Sequence, residues 1–247
     1  MNKFTVVAIV FIVACFGGLV AWSTLRSSDS TTDYSKYNSA EIINGNEDNG
    51  GIDEHVRGKA DSKVIVVEYA DVQCPGCATM MPRMTKLYTQ YGDRVAFVFR
   101  NFPINGHQNA RAAAAACESA GFQGYYWEML ETLYSNRNDW IEASGNTRTD
   151  IFARLFKEVA PEGDEMKFRG DMSDGNIEKK VNFDYGIGRN VDKVNATPAI
   201  YINGEAIDIS EGSFDDVMKR ISDKLDAELE KVGEKTGPLE TEEESEE

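Results

Sequence analysis

The period of the hydrophobic pattern changes several times along the chain, and each change predicts an element. "KVIVVEYA" (63–70) is a β-branched run of strand length, apolar enough to be buried on both faces. After Cys77 the composition turns helical in "ATMMPRMTKLYTQYG", which stops at Gly92 and carries Pro82 as an expected kink. "RVAFVFRNFPI" (94–104) predicts a second strand, broken by Pro103. Strand, helix and strand in such close succession make a βαβ unit. Helix formers follow in "HQNARAAAAACESAG", an i, i+3, i+4 apolar face in "QGYYWEMLETLYSNR", and further helical patterns in "RTDIFARLFKEVA" and from Gly163 to about Gly188. "PAIYINGEAIDI" (198–209) predicts a hairpin turning at Asn203-Gly204. "SFDDVMKRISDKLDAELEKV" predicts an amphipathic closing helix with Ser213 as its N-cap. The order is βαβ, an all-helical insertion over about 107–190, then ββα, an α/β class with the folded domain placed at 52–232.

The ends read differently. Residues 4–22, "FTVVAIVFIVACFGGLVAW", carry no charge and as a helix span roughly 28 Å, about a bilayer core. Residues 1–26 are therefore expected to form a single-pass transmembrane anchor. A lipoprotein signal at Cys15, where Ile12-Val13-Ala14-Cys15 resembles a lipobox, and a cleaved signal peptide are the alternatives. All three put the remainder outside the cytoplasm. Residues 27–51, rich in Ser, Asn, Asp and Gly, are expected to be a flexible spacer. The end of the chain, 233–247, holds seven glutamates against one lysine and is expected to be a disordered acidic tail. A formal net charge of −16 argues against nucleic-acid binding, which needs clustered Lys and Arg. Without spacer and tail, the domain is expected to be a soluble monomer.

The chemistry gathers around four cysteines, of which Cys74 and Cys77 flank Pro75-Gly76 at the first strand-to-helix junction. A structural zinc site needs four ligands, and only the scattered Cys117, His55 and His107 are on offer besides the pair and Cys15, so no metal is expected. Packing alone does not require two cysteines around Pro-Gly. A redox dithiol fits best: unpaired N–H groups and the helix dipole stabilise a thiolate on the first cysteine, while the second lies a turn inside. Pro75 in the first turn sacrifices no hydrogen bond. Such a pair can close a disulfide, open it by exchange and pass it on, with no other cofactor.

Three stretches, "HVRGKADSKVIVVEYADVQCPGC", "AAAAACESAGFQGYYWEML" and "NATPAIYINGEAI", together resemble the DsbA-like branch of the thioredoxin superfamily, especially its membrane-anchored exported members. The resemblance covers roughly residues 52–232 and implies a thioredoxin fold with a helical insertion. It implies that Cys74 is the exposed nucleophile and Cys77 its buried partner. Pro198 matches the family's cis-proline, which sets the Thr197 backbone beside the dithiol to pair with an extended substrate; read alone, it is a proline opening a strand. Glu68 matches a buried acid that moves protons to and from the inner cysteine, a task suited by a raised pKa; read alone, it is a strand-end carboxylate reaching solvent. One departure stands out: the strongest oxidants of the family carry His where this chain has Gly76, so the thiolate lacks a charge partner and the dithiol is expected to be less oxidising. The implied activity is disulfide formation in exported, cysteine-containing proteins, with re-oxidation by a quinone-linked membrane partner of the DsbB or VKOR kind. A reductase or isomerase, and a non-catalytic thioredoxin-like chaperone module, are the alternatives. Cys117 is expected to be a core residue rather than a regulatory thiol, and Met80, Met81 and Met84 to pack the core rather than line an adaptable groove. His55 and His107 suggest no catalytic arrangement.

Overall fold

The computed structural model describes residues 32–239, and every element lies in the unit Tyr34–Glu247. The apolar segment 4–22, with Cys15 and the expected anchor or signal, lies outside the described residues, as do residues 240–247 of the expected acidic tail. Among the described residues no helix is long and apolar enough to cross a membrane.

The β-branched run becomes β2, Ile65–Ala70, at the centre of a five-stranded mixed sheet. Counting β1 (Val56–Gly58), β3 (Ala96–Asn101), β4 (Ala199–Ile202) and β5 (Glu205–Ile207), the spatial order is β1-β3-β2-β4-β5. β2 runs parallel to β3, with Glu68 opposite Phe99, and antiparallel to β4, with Glu68 opposite Ile200. Successive residues of β2 point to opposite faces. Val66 and Ala70, and with them Glu68, face the core built by α1 (Pro75–Tyr91) and by the closing helix Phe214–Lys231. Val67 and Tyr69 face the other side, beneath Phe183 and Ile187. Both faces are covered, which is why β2 reads as a continuous apolar run rather than an alternating one.

Between β3 and β4 stand six helices: α2 (Ala110–Gly121), α3 (Tyr126–Ser135), α4 (Arg137–Trp140), α5 (Gly145–Val159), α6 (Glu165–Asp171) and α7 (Gly175–Asn190). The helical region expected from Gly163 to about Gly188 is divided into α6 and α7. Its interruption follows from Asp174, whose side chain accepts from Asn176 N and starts α7 afresh. The closing helix, α8, begins where expected: Ser213 Oγ accepts from Asp216 N and Asp216 Oδ2 accepts from Ser213 N, a reciprocal cap. The hairpin turns at Asn203 (φ 48°) and Gly204 (φ 81°), the paired positive angles of a two-residue loop that suits the twist of its strands. α1 runs through Pro82 without ending.

Two expectations about the ends are corrected. Residues 34–51 are no loose spacer: Ile43 is buried, and Tyr34, Tyr37 and Ile42 pack half-buried beside it, against the sheet face that α7 also covers. The segment is held by the buried Arg100 of β3, which donates to Asn38 O (2.9 Å), Glu41 O (3.0 Å) and Glu54 Oε1 (2.5 Å). Few but well-spaced apolar residues, paired with a buried cation seeking acceptors, order a stretch that composition alone marks as flexible. Likewise the first residues of the expected tail are docked. Arg94 donates to Gly237 O (2.9 Å) and to Lys235 O, and Leu239 N donates to Gln90 O (2.9 Å).

Candidate active site

The loop from β2 to α1 delivers the dithiol, and a single buried carboxylate shapes it. Asp71 accepts from Gln73 N (2.7 Å), Ile104 N (2.8 Å) and His107 Nδ1 (2.7 Å), while its carbonyl accepts from Cys74 N (2.9 Å). The helical insertion clamps the same loop from outside. Gln73 Oε1 accepts from Asn109 N (2.8 Å), Gln73 O accepts from Arg137 Nε (2.7 Å), and the Tyr134 hydroxyl donates to Asp71 O (3.3 Å). Sequence reading missed Asp71, Gln73, Asn109, Tyr134 and Arg137. Asp71 alone left a signal, an acidic residue at the start of a turn where its side chain can bond the backbone two residues on. His107 belongs to this clamp, and His55 pairs with Glu118 (2.9 Å) over the Tyr126 ring, so neither stands at the dithiol.

Cys74 occupies the N-cap of α1 with an extended backbone, and Pro75 opens the helix. Cys77 lies inside the first turn and is 1% exposed; Cys74, expected to be exposed, is also buried at 7%, because its sulfur sits against the Thr197 carbonyl. The two sulfurs are free thiols in this structure. Their electrostatics diverge sharply. The Cys77 thiol donating to it holds Cys74 at about 5, far below the ordinary thiol value; the Thr197 side chain and the backbone of Cys77 and Gly76 help, while burial opposes. Cys77 is pushed well above the ordinary value, first by burial and then by the neighbouring Cys74 and by Glu68. One thiolate and one thiol therefore share the helix start at neutral pH.

The other residues singled out by sequence converge here. The Thr197–Pro198 bond is cis, and Cys74 Sγ lies 3.5 Å from Thr197 O. A Cβ built on Gly76 would stand 3.6 Å from Pro198 Cδ and 3.7 Å from Cys74 Sγ, ordinary contact distances, so the position sits in the site and has room for a side chain. Glu68 is 3% exposed and does not reach solvent as a strand-end carboxylate. Burial raises it to about 7, and a hydrogen bond from Tyr88 works against that rise.

Cys117 is fully buried in α2 and burial pushes its thiol up. Met80, Met81 and Met84 are all core residues, and Met81 also lines a groove of about 340 Å³ between α1 and α3 with Ala78, Pro82, Thr85, Glu131, Tyr134 and Ser135. Among the described residues no three potential metal ligands come together.

Comparison with known proteins places this geometry. The family model described as thioredoxin matches residues 51–223. A probable disulfide bond formation protein D of Bacillus cereus is 29% identical over 177 residues, 68% of this chain and 77% of that protein. A Na(+)/H(+) antiporter, NhaA 1 of Mycolicibacterium vanbaalenii, is 32% identical over 154 residues; the match takes in 61% of this chain but spans only 23% of the antiporter's length. The crystal structure of oxidised BdbD from Bacillus subtilis superposes with a TM-score of 0.58 at 23% identity, covering 77% of this chain and 99% of that one. The family model covers well over half of the chain and the whole region of the dithiol, and the chain belongs to the thioredoxin family, with the fold of its DsbA- and BdbD-type members.

Proposed function

We propose that this protein is a thiol–disulfide oxidoreductase that forms disulfides in exported, cysteine-containing proteins through Cys74 and Cys77. The observation that carries the reading is the division between the thiols: an ionised Cys74 at the helix start beside Thr197 O, and a protonated Cys77 beneath it. In the oxidising direction a client thiolate attacks Cys74 Sγ of the Cys74–Cys77 disulfide. That bond breaks, and Cys77 leaves as a thiolate and takes up a proton, for which Glu68 is the buried donor. The second client thiolate attacks the client sulfur of the mixed disulfide, closes the client disulfide and releases Cys74 as a thiolate. Two electrons pass to the enzyme; of the two client protons, one ends on Cys77 and one in solvent, because Cys74 stays ionised. The Thr197 backbone offers the edge on which an extended client pairs, and Pro75, Gly76 and Pro198 shape the contact.

The similarity to a disulfide bond formation protein supports this reading. We further propose that residues 4–22 hold the domain at the outer face of the cell membrane, and that a quinone-linked membrane partner of the DsbB or VKOR kind removes the two electrons. The enzyme acts as a monomer, with the dithiol as its only redox group. Gly76 favours a second reading, electron flow in the reducing direction, because it places no cation beside the thiolate. Oxidation of a dithiol peptide by the disulfide form and reduction of insulin by the dithiol form test both. Each activity is expected in the unsubstituted protein and lost in a Cys74→Ala/Cys77→Ala variant. Activity surviving the double substitution, or absent without it, contradicts an enzymatic role and favours a chaperone module.

A further inference from the structure

Glu68 is the only ionisable residue that β2 turns toward the dithiol face, and among the described residues the only hydrogen bond to its carboxyl group comes from Tyr88, at 3.5 Å to Oε2. Tyr88 and Cys77 belong to one helix, α1, about three turns apart, and both are buried on the side that packs on the sheet. The Tyr88 ring has little freedom. It meets Phe97 of β3 at 4.8 Å and Trp127 of α3 at 5.5 Å, both edge-on, and the Arg57 guanidinium of β1 lies 5.1 Å from its centroid. Arg57 is in turn paired with Glu131, which accepts from Thr85 Oγ1 at 3.3 Å. A cation over the ring face draws electron density from the phenol and makes its hydroxyl a better donor.

We infer that Tyr88 is a positioning residue for the exchange reaction: its hydroxyl fixes the Glu68 carboxyl, favours the ionised form, and so governs the proton that passes between Glu68 and Cys77. The inference rests on the exchange chemistry proposed above. When a mixed disulfide at Cys74 is resolved, Cys77 gives its proton to the Glu68 carboxylate. The Cys77 thiolate attacks Cys74 Sγ, the Cys74–Cys77 bond forms, and the bound thiol leaves with the electron pair of the broken bond. In the reverse reaction protonated Glu68 returns the proton to Cys77.

The titratable and charged groups around Glu68 are few. α1 contributes Cys77 and Tyr88, with Cys74 beyond, and α3 contributes Tyr134; Arg57 of β1 and Glu131 of α3 stand behind the Tyr88 ring. α8 brings Val217, Ile221, Leu225 and Leu229 to this core, all apolar. Burial raises the Glu68 carboxyl and the Tyr88 hydroxyl restrains that rise. Removing the hydroxyl leaves burial unopposed, so Glu68 then ionises only at higher pH and is a poorer proton acceptor at neutrality.

The test is the release of glutathione from a mixed disulfide at Cys74, prepared from the reduced protein and oxidised glutathione and followed against pH. In the unsubstituted protein the first-order rate is expected to inflect near pH 7. Tyr88→Phe is expected to move the inflection up by about half to one pH unit, the worth of one hydrogen bond, and to slow release severalfold below it. Glu68→Gln is expected to abolish the inflection, and adding Tyr88→Phe to it is expected to change nothing further. Should Tyr88→Phe fail to fold, a ring-fluorinated tyrosine at the same position, with a stronger donor, is expected to move the inflection down. A Tyr88→Phe profile that overlays the unsubstituted one, or a uniform slowing at every pH that persists in Glu68→Gln, overturns the role of Tyr88 alone. An inflection unchanged in Glu68→Gln takes Glu68, and Tyr88 with it, out of the proton path and overturns the inference, whereas no release at all by the unsubstituted protein overturns the exchange reading beneath it.

Discussion

Cys74 and Cys77 are chemically identical side chains set apart by position, and the consequences can be measured at the residue scale. Cys74 ionises at about 5, so alkylation by iodoacetamide is expected to rise through an inflection near that pH. The sign of the linked stability follows. Folding depresses this pKa, so the thiolate stabilises the reduced protein fully above the ordinary thiol value, less as pH falls, and not at all below about 5. Thermal melts of the reduced form should therefore lose ground to the disulfide form as pH falls across that window. Gly76→His tests the electrostatics directly. Its Cβ fits, and a partial positive charge beside Cys74 Sγ should lower the alkylation inflection and make the couple more oxidising against glutathione. An unchanged inflection and potential would show that position 76 does not act on the thiolate through charge.

At the scale of elements, the strap 34–51 is where composition misled. Its polar majority reads as a tether, but Ser39 and Asn49 are fully buried and Ile43 fills the second core. Arg100 makes the strap necessary, because a buried guanidinium cannot give up its carbonyl acceptors cheaply. Deleting residues 34–51 is expected to destabilise the domain by roughly 3 kcal/mol or more, readable as a fall in the midpoint of urea unfolding; an unchanged midpoint would show the strap to be an ornament. By contrast the elements with strong local signals were legible in the sequence. β2 announced itself by its β-branched run, the hairpin by Asn203-Gly204, and α8 by Ser213. β1 was not, since Val56–Gly58 is too short to carry a period and exists only as the antiparallel partner of β3.

Across the whole molecule, the legible part of the site was the part written in adjacent residues, Cys74 to Cys77, together with Thr197-Pro198 and Glu68, which were identified through a family resemblance. What escaped was the long-range clamp. Asp71, Gln73, Asn109, Tyr134 and Arg137 come from the β2–α1 loop and the helical insertion, and only folding brings them together. Sequence periodicity predicts elements; it does not predict which carbonyl a distant arginine will find. The clamp also gives the insertion a purpose, since it fixes the loop that sets the dithiol at the helix start. In the proposed exchange this helix start carries one attacking thiol and one resolving thiol. The most direct measurement is the trapping of client proteins by the two single variants, expressed with exported clients and resolved on non-reducing gels. Cys77→Ala should accumulate covalent adducts that vanish with dithiothreitol, because Cys74 can still attack and nothing releases it. Cys74→Ala should trap far less, because the remaining thiol is buried and protonated. Equal trapping by both variants, or none by either, would contradict the assignment of Cys74 as the attacking thiol.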